Sequence, residues 1–175
     1  MTLFNTTSDE IKWYPLRTRG RFERRFAEKL AEKGIEYYLP LMHERHRWSD
    51  RWKTVEKIVF PGYIFVRIPK NRKFHLLEIQ WAQGFVEFRG EMASIPDRQI
   101  ESIRILLDKP LSVRIQDKEK LMGKTVRIIK GPLAGLCGKV KKMANNTLVC
   151  VEVDHMDRML SVEIDENDLQ ASDVQ

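Results

Sequence analysis

The chain has 175 residues, 42% of them hydrophobic and 32% charged, with a formal net charge of +6 at pH 7. That length holds one medium domain or two small ones with enough apolar residues for a real core. No apolar run approaches the ~20 residues of a membrane span, and the start lacks the basic-then-apolar order of a signal peptide, so the expected compartment is the cytoplasm, with no membrane partner. Cys137 and Cys150 are too few for a disulfide scaffold or a metal cluster and read as reduced thiols in a core.

The charge is uneven. Residues 1–108 hold 20 Lys/Arg against 15 Asp/Glu, and the remainder 11 against 10. A polyanionic partner therefore belongs to the first part of the chain.

Residues 1–10 are polar and patternless, a tail. Lys12 to Arg17 reads as a short strand with Pro15 near an edge. Phe22, Phe26 and Leu30 recur every four residues and predict a helix over 20–33, with Gly34 as its stop. Ile35 to Met42 reads as a strand and Glu44 to Lys53 as a charged hairpin. Val55 to Phe60 and Tyr63 to Ile68 are β-branched and aromatic runs meeting at Pro61-Gly62, a pair suited to a tight corner because Pro presets φ and Gly accepts positive φ. Arg72 to Gln80 reads as a short helix with Phe74, Leu77 and Trp81 on one side. Phe85 to Phe88 is a strand. Ser94 to Asp97 looks like a capping box opening a helix whose stripe is Ile100, Ile103 and Leu107.

The fold class is α+β, with a first domain over 11–108 in which an antiparallel sheet is flanked by helices. Mixed charge and weak periodicity make 109–121 a linker. Residues 122–171 read as a small β-barrel: Val126 and Ile128 alternate with Arg127 and Ile129, Asn145-Asn146 turns a hairpin, and Val149, Val151 and Val153 share a face.

Three constellations carry functional content. Arg17, Arg19, Arg21, Arg24 and Arg25 gather at the start of the first helix, where the helix dipole disfavours cations. They are either a solvated face paired with Glu23 and Glu28 or a phosphate-backbone contact, for which Arg is the better side chain. Arg72, Lys73 and His75 open the second helix. In the hairpin, Arg45, His46, Arg47, Arg51 and Lys53 interleave with Trp48 and Trp52, whose rings either pack the hairpin on its own sheet or stack on unpaired bases. No nucleophile elbow, phosphate-cradling loop or metal-ligand spacing is present, so neither an enzyme nor a cofactor is expected.

Trp13-Tyr14, the basic helix, Gly34 to Pro40 and Phe60-Pro61-Gly62-Tyr63-Ile64-Phe65-Val66 resemble the N-terminal domain of NusG transcription factors. Gly123 to Ile128, Gly131 to Gly135 and Gly138-Lys139-Val140 resemble the KOW motif that follows it, with Gly123, Val126, Gly131, Pro132, Gly135 and Gly138 as motif positions. Trp48-Ser49-Asp50-Arg51, with Leu39-Pro40-Leu41 upstream, is similar to the UpxY branch of specialised, RfaH-like paralogs that act on long operons, in that branch for capsular polysaccharide.

The resemblance implies a monomeric transcription elongation and antitermination regulator. An apolar patch of Trp13, Tyr14, Phe60, Pro61 and Tyr63 would bind the clamp helices of the largest RNA polymerase subunit, some of its aromatics being partly exposed. Arg72, Lys73 and His75 would touch the opposite jaw. Arg19, Arg21, Arg24, Arg25, Arg47, Trp48 and Arg51 would face non-template DNA or nascent RNA. The KOW domain would contact Rho or a ribosomal protein, although Leu133 stands where the family has Phe and the later aromatic is replaced around His155-Met156-Asp157. Rivals are a housekeeping NusG and a ribosome- or RNA-binding KOW module.

Overall fold

The computed structural model describes residues 10–108, 113–117, 124–131, 133–143 and 146–171. Two units divide the chain, Met1–Asp97 and Arg98–Gln175.

The first unit is built on β1, Ile11–Thr18, which lies between two antiparallel partners, β5 (Tyr63–Pro69) and β6 (Ala82–Phe85). A short β2, Glu36–Tyr38, completes the order β2-β5-β1-β6. Register sorts the side chains. Tyr14 lies opposite Val66 and Leu16 opposite Ile64, so these four share one face. That face is covered by Phe26, Ala27 and Leu30 of α1 (Glu23–Glu32) and by Leu76 of α2 (Lys73–Leu77), which join it in one core. The other face carries Trp13, Pro15 and Phe65, with Tyr38 stacked on Phe65 at 6.4 Å between ring centroids. Both faces of β1 are buried, which is why Trp13-Tyr14-Pro15-Leu16 shows no alternation of polarity.

Several elements are shorter than their sequence patterns. α1 begins at Glu23, because Arg21 takes a positive φ of 69° in the turn before it. The expected strand 35–42 breaks at Leu39-Pro40 into β2 and β3, Leu41–Arg47. Proline supplies no N–H for a ladder there. β3 pairs with β4, Trp52–Ile58, in a separate two-stranded ribbon. Phe60-Pro61-Gly62-Tyr63 is a turn closed by the Tyr63 N–H on the Phe60 carbonyl at 3.1 Å, with Gly62 at φ 79°, the type II pattern that glycine permits. It does not close a hairpin: it carries the chain out of the ribbon and into the central sheet.

The second helix is a 3-10 turn, Lys70–Arg72, running into α2. Leu76 is its buried residue, Ile79 is buried just beyond its end, and Phe74, expected on the packed side, is 73% exposed. The strand expected over 85–88 is split between β6 and β7 (Glu87–Phe88), which pairs with β8 (Glu91–Met92). In α3, Asp97–Asp108, the buried stripe is Ile100, Ile103 and Leu106, so Leu106 takes the place expected for Leu107.

The second unit holds one antiparallel sheet. β9 (Arg114–Asp117), β10 (Thr125–Ile128), β11 (Cys137–Met143), β12 (Asn146–Glu152), β13 (Arg158–Ile164) and β14 (Leu169–Ala171) run in the order β14-β10-β11-β12-β13-β9. β9 falls inside the segment read as a linker, where it pairs with β13. Val149, Val151 and Val153 are buried as the alternation implies, but so are Leu148 and Cys150 on the opposite face, with Met159. Cys150 is thus a core thiol, while Cys137 is half-buried with its thiol on the Gly135 carbonyl at 3.7 Å. Within α3, Gln99 accepts the Asp154 N–H at 2.9 Å.

Candidate functional site

The Phe60–Tyr63 corner is held from behind. Glu23, in the first turn of α1, is buried, and its Oε1 accepts the Gly62 N–H at 2.7 Å. The Gly62 carbonyl accepts the Thr18 N–H at 2.8 Å. Glu23 therefore does not pair with the neighbouring arginines at the surface. It serves the turn, and also supplies the acidic group that a helix N-terminus favours.

The expected apolar patch is divided by this geometry. Pro61 is exposed and Tyr63 half-buried. Trp13 at 3% and Phe60 at 1% lie beneath the surface on their side of the sheet, Phe60 set edge-on to Phe65 at 5.6 Å. Tyr14, also 1% exposed, points to the other face, into the core under α1 and α2, edge-on to Phe85 at 6.3 Å. Adjacent strand residues point oppositely, so Trp13 and Tyr14 cannot share one patch.

The cationic group is brought together more closely. Arg19, Arg21, Arg24 and Arg25 are all exposed. Phe22 stacks on Trp81 at 5.3 Å, and the guanidinium groups of Arg19 and Arg25 lie 5.1 and 5.6 Å from the Phe22 ring centre. Arg24 reaches the ribbon, where it bonds Glu56 at 2.7 Å. In the ribbon register His43 opposes Glu56, Arg45 opposes Thr54 and Arg47 opposes Trp52, so Arg45, Arg47, Trp52 and Glu56 share a face. The Arg24–Glu56 pair thus joins the start of α1 to the ribbon face that carries Arg45, Arg47 and Trp52.

The ribbon tryptophans do not pack on a sheet. Trp48 is 54% and Trp52 59% exposed, and each carries a cation over one ring face: Lys53 on Trp48 at 5.4 Å and Arg45 on Trp52 at 5.5 Å. Arg47 and Arg51 are exposed beside them. Such rings offer stacking area to a base while the cations stay within reach of its phosphates. Sequence spacing found these residues but missed Glu56, whose role depends on a contact 32 positions away.

At the second helix, Lys73 is engaged by Glu87 at 2.7 Å and the preceding Lys70 by Glu91 at 2.6 Å. Arg72 and His75 are exposed. Of the motif positions in the second unit, Gly123 and Pro132 lie outside the described residues. Val126 is buried in β10, Gly131 and Gly135 shape the turn between β10 and β11, and Gly138 lies against β12. A Cβ on Gly138 would sit 2.7 Å from both the Cys150 carbonyl oxygen and the Val149 side chain, so this position needs glycine.

No group of three metal-ligating side chains occurs among the described residues. No helix among them is long and apolar enough to cross a membrane.

Residues 11–104 match the family model described as transcription termination factor nusG. The chain belongs to the NusG family. It is 25% identical over 180 residues to the transcription termination/antitermination protein NusG of Lactococcus lactis, covering 95% of this chain and 96% of that one. It is also 25% identical to the protein of the same name from Chlamydia trachomatis, over 149 residues, 76% of this chain and 79% of that one. Among solved structures it is similar to one described as domain interaction in Thermotoga maritima NusG, with a TM-score of 0.51 at 20% identity over 93% of this chain and 97% of that one. That likeness bears on the fold, and it agrees with a NusG N-terminal domain followed by a β-rich unit. Members of the NusG family are transcription factors rather than enzymes.

Proposed function

We propose that this NusG-family chain binds RNA polymerase in the cytoplasm and antiterminates particular long operons, those for polysaccharide synthesis in the UpxY manner. Pro61 and Tyr63 are the accessible part of the clamp-helix contact, shaped from beneath by Trp13 and Phe60. Arg72, Lys73 and His75 lie toward the second jaw. Arg19, Arg21, Arg25, Arg45, Arg47, Trp48, Arg51 and Trp52 face non-template DNA or nascent RNA, with Arg24 tying the two parts together. The second unit supplies the KOW-type contact to a ribosomal protein, and the departures at Leu133 and around His155-Met156-Asp157 fit an antiterminator that has lost Rho.

The observation that supports this reading is the Arg24–Glu56 link between the start of α1 and the ribbon. Cations and exposed indoles on a ribbon suit contact with an unpaired strand, and the choice of particular operons rests on the likeness of Trp48-Ser49-Asp50-Arg51 to the UpxY branch. The test has two arms. Purified core polymerase is pulled down with wild type and with a Pro61→Ala/Tyr63→Ala double variant, with folding monitored in parallel. Read-through is then measured on templates with and without the leader of a polysaccharide operon. Loss of binding by the folded double variant and leader-dependent read-through are expected; read-through on every template alike overturns the specialised role.

A housekeeping NusG is the second reading, favoured by the near-complete length match to the Lactococcus protein. It predicts stronger termination at Rho-dependent sites when the protein is added, the opposite sign.

A further inference from the structure

At the tip of the ribbon the Trp48 N–H donates to the Arg51 carbonyl at 2.8 Å, next to the last ladder pair, Arg47 opposite Trp52. Ser49 and Asp50 are therefore the apex. Both are exposed and neither takes a positive φ, so the backbone makes no demand for the Asp that left-handed turns favour. The ribbon carries three acidic residues. Glu44 is held by Lys57 at 3.1 Å and Glu56 by Arg24 at 2.7 Å. Asp50 forms no ion pair or hydrogen bond among the described residues, although Arg47, Arg51 and Lys53 lie within three positions of it. A carboxylate in that place weakens the hold of its neighbours on phosphates, which is a cost for a surface that binds a polyanion.

Two indoles flank it in the chain. Lys53 covers one face of Trp48 and Arg45 one face of Trp52, and with 54% and 59% exposure each ring keeps area for a stacked base. A base stacked there has its edges free for a hydrogen-bonding neighbour.

We infer that Asp50 reads an unpaired guanine, its two carboxylate oxygens accepting the guanine N1–H and N2–H while an indole stacks on the base. The inference rests on the nucleic-acid reading of the ribbon proposed above, and it names the base and the residue that selects it. A carboxylate only accepts hydrogen bonds. Among the four bases, guanine alone presents two neighbouring donors on its Watson–Crick edge. Adenine and cytosine set one amino donor beside a ring-nitrogen acceptor, and thymine or uracil sets its N3–H between two carbonyls. Each of these brings an acceptor against the carboxylate. The guanine edge is open only in an unpaired strand, the form that the indoles also require. Phosphate is excluded as the partner of Asp50 by like charge, and falls to Arg47 and Arg51. Single-stranded DNA and RNA offer the same edge.

The test is fluorescence anisotropy with the full chain and short labelled strands, all thymine as DNA or all uracil as RNA. Each strand is used plain or with one central guanine, inosine or 7-deazaguanine. Inosine lacks the N2 amino group; 7-deazaguanine keeps the Watson–Crick edge and lacks the N7 that an arginine reads. The guanine strand should bind about tenfold tighter than the plain one. The 7-deazaguanine strand should match it and the inosine strand should lose most of the gain, and the sugar that gives the larger gain names the source. Asp50→Asn keeps a residue suited to a turn but sets an amide N–H against one guanine donor. It should bring the guanine and plain strands close to equal affinity, with the plain strand bound at least as tightly as by wild type, because a repulsive charge is gone. The assignment is overturned if Asp50→Asn keeps the wild-type preference, or if plain strands bind and no base is preferred. It is also overturned if inosine gains as much as guanine, which is stacking alone, or if the gain is lost with 7-deazaguanine, which makes an arginine the reader. Failure of wild type to bind any strand removes the nucleic-acid reading of the ribbon and this inference with it.

Discussion

Glu23 and Gly62, 39 positions apart, meet in a 2.7 Å hydrogen bond from the backbone N–H of the corner to a buried carboxylate on the first helix. The bond fixes the corner that presents Pro61 and Tyr63 relative to the helix that presents Arg24 and Arg25.

Replacing Glu23 by Ala leaves a part-buried N–H without its acceptor, which costs about 1 kcal/mol. Glu23→Gln keeps an acceptor oxygen and should lose less. Urea midpoints at constant m-value measure the difference. Equal losses for the two variants would show that the charge of the carboxylate, and not the acceptor oxygen that Gln retains, carries the effect.

Gly138→Ala places a methyl group 2.7 Å from the Cys150 carbonyl oxygen and from Val149. Backbone is the obstacle on one side, so β11 and β12 must part, at a cost of about 1–3 kcal/mol. Hydrogen exchange should speed up in β11 and β12 and stay unchanged in β1 and β5. Uniform protection across β11 and β12 would contradict this account.

Burial pushes the Tyr14 phenol above its ordinary value, against the opposing pull of Lys70 and Lys12, with Glu10 and Glu91 raising it. Lys70 is raised too, chiefly through its hydrogen bond to Glu91. In both cases the folded state holds the proton more tightly than the unfolded chain does. Their stability is complete below the unfolded values, near pH 10, and is lost as pH rises through the folded ones. The urea midpoint should therefore fall above about pH 10. Tyr14→Phe should flatten that fall, leaving the part that belongs to Lys70. A variant that falls as steeply as wild type would rule out the phenol as a cause.

On the ribbon, Arg45→Gln and Arg47→Gln should each lower the salt slope of single-stranded nucleic-acid binding by about one, if each guanidinium holds a phosphate. Trp52→Ala should weaken binding by about 1–3 kcal/mol with the slope unchanged, because stacking releases no counterions. Titration at several salt concentrations separates the two effects. An unaltered affinity for Trp52→Ala would show that the exposed ring takes no part in nucleic-acid binding.

Where local pattern and tertiary environment agree, the sequence is legible. Phe26 and Leu30 on α1, Val126 and Ile128 on β10, and the Pro61-Gly62 turn lie as their spacing requires, because each is decided within one element. Tyr14, which the resemblance sets beside Trp13 in one patch, and Phe74, which helical spacing sets on the packed side, both lie elsewhere. Hydrophobicity says that a residue is buried or bound somewhere, not on which side. β1 is covered on both faces, so Trp13 and Tyr14 read alike although they point apart. α2 is only five residues long, so one turn decides between core and solvent, and Leu76 rather than Phe74 fills the core. Glu23 and Glu56 were beyond reach because their partners, Gly62 and Arg24, are distant in the chain.

The ribbon of β3 and β4 contributes no strand to the central sheet; it leaves that sheet after Tyr38 and rejoins it at Tyr63 through the pinned corner. Its register is therefore independent of the core's. Apart from Glu56, which Arg24 holds, residues between Met42 and Lys57 are free to diverge, lengthen or be exchanged between relatives while β1, β5 and the two helices remain as they are. A chimera carrying another member's ribbon should fold, and under the proposed function it should keep the polymerase contact and change the templates on which it acts. The ribbon is thus the part of this unit whose sequence the core constrains least.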